Sequence, residues 1–184
     1  ISNVNYQQNK ASWDISATAL PIGLWANELA PTVVSSPSQA TLTVKTKGSY
    51  SANDPIDAIF TASMSSAPWQ LGETRPLTLT INSIETKGEI KQGQLASTSV
   101  ISSQDVGDAT LTLNTRPFES RIPLDGKLEM QGLNVAPFKP LSPAVRTLTG
   151  KLNGNVSLSG YIDDPTLNGE LTVSNGAIDI QDTP

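Results

Sequence analysis

The sequence predicts an all-β fold, and three observations support that prediction. Apolar and polar residues alternate with a period of two over most of the chain, which is the pattern of half-buried strands. Charged residues make up 16% of the 184 residues, against an average of about 25%, and neutral polar residues that suit a pleated sheet take their place. Helical periodicity is convincing only over residues 22–30, behind Pro21. We therefore expect an amphipathic sheet with one or two short helices.

The alternation predicts the strands one after another. Residues 39–47 and 56–64 each have an apolar and a polar side. Leucine and isoleucine alternate with polar residues again from residue 77, but the phase switches after Asn82-Ser83, which predicts a β-bulge or turn there. The two cleanest strands cover residues 124–131 and 151–159. Because two short helices cannot cover so many strands, the apolar faces must cover one another or be covered by something else.

Turn signals separate these strands. Residues 91–94 have the sequence Lys-Gln-Gly-Gln, which is typical of a hairpin turn, and residues 105–108 have the Asp and Gly content of a loop. The pair Asn175-Gly176 supplies the positive-φ residues of a tight hairpin, so we expect it to split the last segment into two strands. Residues 143–148 are expected to form one helical turn.

The chain is expected to form a single β domain over residues 1–184, with two approximate repeats at residues 19–66 and 132–180. Each repeat has an apolar, proline-bearing segment, a strand that ends at Gly48 or Gly160, and a polar turn closed by a proline. Such self-similarity is typical of sheet segments that stack along an axis. Because the chain opens without methionine and stops directly after a strand-like stretch, we expect it to be a fragment of a longer protein.

The composition excludes several classes of function. The net charge is −5, so the chain lacks the broad positive surface that binds phosphates, and no nucleic-acid partner is expected. It has no cysteine and no histidine, which removes disulfides, catalytic triads and the usual zinc and haem ligands. No apolar run approaches the roughly 20 residues that cross a bilayer. We therefore expect no catalytic residue, no cofactor, no metal and no transmembrane segment.

Two groups of acidic residues are the candidates for catalysis or metal binding. The adjacent carboxylates of Asp163 and Asp164 could bind Ca²⁺ or act as general acid and base. However, neighbours on an extended chain point to opposite faces, and Asp before Pro is typical of a turn. Glu85 and Glu89 share a strand face with two lysines, which predicts a neutral, solvated surface. The turn and the solvated surface are the favoured interpretations.

The tryptophans are candidates for a binding surface of a different kind. Trp13, Trp25 and Trp69 could form a stacking platform for sugars or anchors near lipid. They are scattered along the chain, and aromatic residues are only 5% of it, which disfavours an aromatic-lined sugar cleft. Ordinary core positions are the simpler interpretation.

An apolar stripe remains as the candidate functional surface. It is either the core of a closed sandwich or the lining of a groove for acyl chains or unfolded strands, in which each buried CH₂ of a guest contributes about 0.8 kcal/mol. Periodicity does not separate these two interpretations. The candidate groove-lining residues are Leu42, Val44, Phe60, Leu79, Ile81, Leu113, Leu128, Met130, Val156, Leu158, Leu171 and Val173.

Residues 150–177 carry a recognisable motif. A strand ends in Ser159-Gly160, a short turn is closed by Pro165, and a glycine-bearing strand then ends in Asn175-Gly176. This run resembles the C-terminal domain of the TamB family of envelope proteins, which are akin to the AsmA-like proteins. Residues 20–31 are similar to the short apolar helix that precedes the motif in that family.

The resemblance implies a fold and a function. The fold is an elongated, folded-over amphipathic sheet, a β-taco, whose concave face is an apolar groove. The implied location is the periplasm of a Gram-negative cell, in an inner-membrane-anchored protein that partners the outer-membrane barrel protein TamA. The implied guests are phospholipid moving between membranes or unfolded strands of outer-membrane proteins during barrel assembly, without catalysis. A carbohydrate-binding or adhesin-like β-sandwich is the alternative, and an enzyme is a third, less favoured one.

Overall fold

A single antiparallel sheet accounts for most of the described chain. The computed structural model describes residues 2–7, 9–22, 34–35, 40–52, 54–71 and 77–180. The strands are β1 (Ser2–Gln7), β2 (Lys10–Pro21), β3 (Val34–Ser35), β4 (Thr41–Ser51), β5 (Asp54–Met64), β6 (Ala67–Leu71), β7 (Leu77–Lys91), β8 (Gln94–Ser103), β9 (Gly107–Thr115), β10 (Leu124–Asn134), β11 (Val145–Tyr161) and β12 (Asp164–Ile180).

The strands follow one another across the sheet as a meander. The main path of the 12-stranded sheet is β1-β2-β4-β5-β7-β8-β9-β10-β11-β12. The long strand β7 pairs with both β5 and β6, because its first residues align with β6 and its last residues align with β5. The short strand β3 pairs with β6. The path is open, with β1 and β12 at its two edges.

The predicted phase switch after Asn82-Ser83 is confirmed. The register of β7 with β8 shifts between Ile81 and Ser83, so β7 accommodates an extra residue as a bulge. Ile81 pairs with Ser103 and Ile84 pairs with a residue two positions earlier on β8. The bulge therefore keeps Ile81 and Ile84 on the same face of the sheet.

Two-residue turns join β7 to β8 and β11 to β12. Gln92 (φ 50°) and Gly93 (φ 75°) form the first turn, as predicted for residues 91–94. Positive φ at both central positions is typical of the type I′ turn, whose twist suits a hairpin. The second turn consists of Ile162 and Asp163, between the register partners that close the hairpin.

The hairpin predicted at Asn175-Gly176 is wrong. Strand β12 runs through both residues without interruption. Asn175 has a positive φ of 52°, but it lies where the register of β11 with β12 shifts between Thr149 and Lys151. The positive-φ residue therefore belongs to a bulge instead of a turn.

The described part of the chain contains one helix, a short 3-10 helix over Ala136–Leu141. Pro137 and Pro140 lie within it, and their fixed φ values suit a tight helical segment. The helical turn predicted for residues 143–148 is wrong, because β11 begins at Val145. The helix predicted over residues 22–30 lies outside the described residues, except for Ile22, which is in a turn. Within the described ranges, none of the structure is a helix of the length and hydropathy needed to cross a membrane.

Buried side chains gather at one end of the strands. They lie where β5 ends, where β6 and β7 begin, and where β8 and β10 end, and their exposed fractions range from 1% to 8%. No large side chain in the described part of the chain is less than 2% exposed. This cluster, called the closed rim below, consists of Ala40, Met64, Ala67, Leu77, Leu79, Ser103 and Leu133.

A single open sheet with this small core is not a sandwich of two stacked sheets. The 3-10 helix contacts both β11 and β7, although three strands separate them in the sheet. The prediction of an all-β, folded-over amphipathic sheet is therefore confirmed, and the alternative β-sandwich is not.

Candidate apolar groove

The register of the sheet determines which side chains share a face. Cross-strand partners in an antiparallel sheet point to the same side, so a row of partners can be followed from strand to strand. One such row crosses seven strands and contains three of the predicted groove positions. It runs through Val44, Ala62, Thr86, Ser99, Leu111, Leu128 and Val156.

The neighbouring rows bring the other predicted positions to the same face. One row contains Leu42, Met130 and Leu171, and the row on the other side contains Phe60, Leu113 and Leu158. The remaining three predicted positions are on the same face. Leu79 is placed there by its pairing with β6, Ile81 by the β7 bulge, and Val173 by its pairing with β11. We call this surface the apolar face. The role of its residues as guest contacts stays a prediction.

The opposite surface, called the polar face, has a different composition. A row of register partners between two apolar rows contains only polar and charged residues. It runs through Lys45, Thr61, Lys87, Thr98, Thr112, Lys127, Ser157 and Asn168. Because the two faces differ so strongly, an apolar guest has one side of the sheet on which to bind.

Burial varies along the apolar face. Leu79, in the closed rim, is 6% exposed, whereas Leu171 and Val173 on β12 are 57% and 52% exposed. Most of the other predicted positions, including Leu128 and Leu158, are half-buried. A closed hydrophobic core would bury these side chains fully, so the apolar face is open over most of its length.

Glycines on the apolar face make room for large side chains from the next strand. A Cβ at Gly48 would collide with the Trp13 ring, and one at Gly88 would collide with the Phe60 ring. The Trp13 indole Nε1 also donates a hydrogen bond to Thr46 Oγ1 at 3.2 Å. These rings therefore lie against the neighbouring strands. Sequence reasoning missed these glycines, although a glycine at an apolar position of an alternating strand signals such a close approach.

The apolar face is not uniform from edge to edge. In its middle, the hydroxyls of Thr86 and Ser99 hydrogen-bond to each other at 2.9 Å. From β9 to β12, the side chains are mainly aliphatic: Leu111, Leu113, Leu128, Met130, Leu152, Val156, Leu158, Leu167, Leu171 and Val173. The part of the face between β9 and β12 is therefore the better surface for a saturated acyl chain.

Hydrogen bonds tie the β8–β9 turn into the closed rim. The Asp105 carboxylate accepts a bond from the Thr80 backbone N–H, with 2.6 Å between Oδ2 and N. The Ser103 hydroxyl donates to the Thr80 carbonyl at 2.9 Å. From β10, the Asn134 backbone N–H donates to the Val106 carbonyl at 2.7 Å. These bonds hold the ends of β7, β8 and β10 together around the buried side chains.

The acidic residues considered as catalytic or metal sites either form ion pairs beside a turn or lie exposed on the polar face. Arg121 forms ion pairs with Asp163 at 3.5 Å and with Asp164 at 3.9 Å, and its guanidinium lies 3.8 Å from the centre of the Tyr161 ring. Glu85 is exposed on the polar face, as is Glu89. Among the described residues, no group of three or more acidic side chains is arranged to hold a metal ion.

The tryptophans do not form one platform. Trp13 is on β2 and Trp69 is on β6, opposite Leu79, while Trp25 lies outside the described residues. The indole Nε1 of Trp69 is buried and has no hydrogen-bond partner among the described residues. Trp13 and Trp69 are thus apolar-face residues on separate strands.

A polar cleft lies among the turns at the other end of the strands. Its volume is about 650 Å³, and Lys10 and Asp57 are the charged residues in its lining. One base and one acid do not make the paired carboxylates that glycoside hydrolysis needs. The cleft therefore adds no recognisable catalytic arrangement.

Comparison with protein families identifies the chain at the level of a family. Residues 8–173 match the family model described as "TamB, N-terminal domain". Searches of the curated proteins and of the solved structures found no match. The predicted family is right, but the predicted C-terminal domain is wrong, because the matching model is that of the N-terminal domain. Gly160 and Pro165 flank a hairpin turn, and such a turn motif does not distinguish one domain from another. The chain belongs to the TamB family of envelope proteins.

Proposed function

We propose that this chain is a non-catalytic segment of an envelope protein and that its apolar face shields a phospholipid acyl chain during transport between membranes. In this proposal, the chain lies in the periplasm of a Gram-negative cell. It is part of an inner-membrane-anchored protein that works with the outer-membrane barrel protein TamA. Membership of the TamB family supports the envelope location.

The observation that carries the proposal is the open apolar face. In the described part of the chain it continues from β4 to β12 without a second sheet covering it, and its side chains are half-buried or exposed outside the closed rim. The eight strands of the main path from β4 to β12, about 4.8 Å apart, give the face a length of roughly 34 Å. One acyl chain spans about half of the roughly 30 Å hydrocarbon core of a bilayer. The apolar face is therefore longer than one extended acyl chain.

Shielding of unfolded outer-membrane protein strands is a second candidate function. It is favoured by the exposed aliphatic side chains of β12, which alternate with polar residues as the side chains of a membrane strand do. A guest strand with that alternation would place its apolar side chains against the apolar face.

Native mass spectrometry of the gently purified chain tests the proposal. We expect bound phospholipid on the unaltered chain and its loss in Leu158→Arg, which puts a charge in the aliphatic part of the apolar face. The matched control is Ser157→Arg, which puts the same charge on the polar face one residue away. We expect the control to keep its lipid, and circular dichroism to show that both variants are folded.

Two outcomes would contradict the proposal. If Leu158→Arg unfolds the chain while Ser157→Arg does not, the apolar face is a closed core. If the folded variants and the unaltered chain are all free of lipid, or all bind it equally, the apolar face does not carry acyl chains.

A further inference from the structure

A pair of hydroxyls interrupts the apolar face at its middle, on β7 and β8. Thr86 and Ser99 are register partners, and their hydroxyl oxygens are 2.9 Å apart and joined by a hydrogen bond. Both side chains are half-buried, so a guest on the apolar face can reach them. We call these two residues the hydroxyl pair.

The hydroxyl pair has one proton to spare. Each hydroxyl carries one proton and can accept two, so the bond between Thr86 and Ser99 uses one of the two protons. Neither hydroxyl has another hydrogen-bond partner among the described residues. The second proton is therefore available to an acceptor on the guest.

A guest that covers the apolar face also removes water from the hydroxyl pair. Methylene groups packed over the pair would leave the spare proton without a partner, which costs free energy. A carbonyl oxygen at the same place accepts the proton and avoids that cost. In a phospholipid, the ester carbonyls lie where the acyl chains begin. The hydroxyl pair therefore favours contact with the ester end of an acyl chain over contact with its methylene groups.

The aliphatic surface beside the hydroxyl pair has the length of one acyl chain. The row that contains the pair continues through Leu111 on β9, Leu128 on β10 and Val156 on β11. Three strand spacings of about 4.8 Å give roughly 14 Å, and one acyl chain spans about half of the roughly 30 Å hydrocarbon core of a bilayer. An acyl chain that begins at the hydroxyl pair would thus lie on aliphatic side chains over its whole length.

We infer that the hydroxyls of Thr86 and Ser99 bind an ester carbonyl of the guest phospholipid and thereby set the position of its acyl chain on the apolar face. This inference rests on the proposed function and adds the chemical group that is recognised. A cross-strand bond between threonine and serine also stabilises a sheet, so a loss of stability on mutation does not by itself support the inference.

Binding of two matched lipids to the full 184-residue chain tests the inference. The probes are a diacyl phosphatidylethanolamine and a dialkyl phosphatidylethanolamine of the same chain length, in which ether links replace the esters. The ether lipid keeps the head group and the apolar surface but lacks the carbonyl oxygens. In competition followed by native mass spectrometry, we expect the ester lipid to bind about two- to tenfold more tightly.

Two double variants show whether the hydroxyl pair causes that preference. Thr86→Val combined with Ser99→Ala removes both hydroxyls, so neither is left unpaired and the sheet should remain folded. We expect this variant to bind the two lipids equally. The control, Thr98→Val combined with Thr112→Val, removes the hydroxyls of two register partners on the polar face and should keep the preference. Circular dichroism checks that both double variants are folded.

Infrared spectroscopy of a lipid with isotope-labelled ester carbonyls gives a second measurement, which needs no variant. A hydrogen bond lowers the stretching frequency of a carbonyl. The labelled band should therefore lie lower in the lipid bound to the unaltered chain than in the same lipid dissolved in dry alkane. A band at the alkane frequency would overturn the inference.

The competition experiment separates failure of the inference from failure of the proposed function. If the unaltered chain binds ester and ether lipids equally, or if the folded variant without the hydroxyl pair keeps the preference, the inference is overturned and lipid binding stands. If neither lipid binds, the proposed function and the inference fail together.

Discussion

The closed rim and the final hairpin place similar side chains on the same face but treat them differently. In the closed rim, Leu77 and Leu79 are 4% and 6% exposed. In the hairpin of β11 and β12, Leu167 and Leu171 are 66% and 57% exposed. All four leucines lie in strands whose apolar and polar residues alternate. However, β6, the β8–β9 turn and β10 surround only Leu77 and Leu79. The burial of a side chain therefore depends on which other segments pack around its strand, and the hydrophobic pattern within the strand does not determine it.

The two regions therefore differ in what they contribute to stability and in how much apolar surface they leave exposed to solvent. The closed rim supplies the tightly buried side chains that hold the sheet together. The hairpin keeps apolar surface in contact with solvent, which is the state expected of a binding surface and costs free energy until it is covered. Variants that change one region and not the other therefore test the comparison.

The largest effect is expected from truncating a leucine of the closed rim. Leu79→Ala should lower the free energy of unfolding by about 2–5 kcal/mol, since it leaves a cavity among buried side chains. Leu167→Ala makes the same chemical change on the exposed hairpin and should cost no more than about 0.5 kcal/mol. Urea unfolding of both variants measures the difference. Equal losses would show that the two regions are one core.

An intermediate effect is expected at the carboxylate that ties the β8–β9 turn to β7. Asp105→Ala removes the acceptor for the Thr80 N–H and should lower the free energy of unfolding by about 1–3 kcal/mol. The control is Asp108→Ala, since Asp108 is exposed at the start of β9. Hydrogen exchange at Thr80 should accelerate in the first variant and not in the second. An unchanged exchange rate in Asp105→Ala would contradict this assignment.

The smallest effect is expected at the turn of the final hairpin. Arg121→Gln removes two ion pairs and the contact with the Tyr161 ring, but these groups are exposed. We expect a loss of at most about 1 kcal/mol, and a smaller loss at high salt. Thermal unfolding at two salt concentrations measures it. A loss as large as that of Leu79→Ala would mean that the hairpin turn is a second centre of stability.

The period-two pattern accounts for what the sequence could predict. It identified the strands around residues 39–47, 56–64, 124–131 and 151–159, the bulge after Asn82-Ser83 and the turn at residues 91–94, because each depends on a few neighbouring residues. The short strands β1, β3 and β6 were not predicted. The same local reasoning failed at Asn175-Gly176, because a positive φ serves a bulge as well as a turn. Local signals therefore do not decide between two structures that use the same backbone conformation.

The burial of the candidate residues could not be predicted from the pattern. Leu79 and Leu171 occupy equivalent positions in alternating strands, yet one is buried and the other is exposed. The difference comes from contacts between distant segments, such as the hydrogen bond from Thr80 to Asp105 and the placement of the 3-10 helix against β7. The glycines beneath Trp13 and Phe60 were missed for a related reason, since their role depends on the register of the next strand.

Site-specific photocrosslinking in cells tests most directly whether the guest lies on the apolar face. A photoreactive phenylalanine derivative replaces Leu158 on the apolar face or, as control, Ser157 on the polar face. The account predicts crosslinks to phospholipid from the first position and none from the second. Crosslinks of equal yield from both positions, or from Ser157 alone, would contradict the claim that the apolar face is the binding surface.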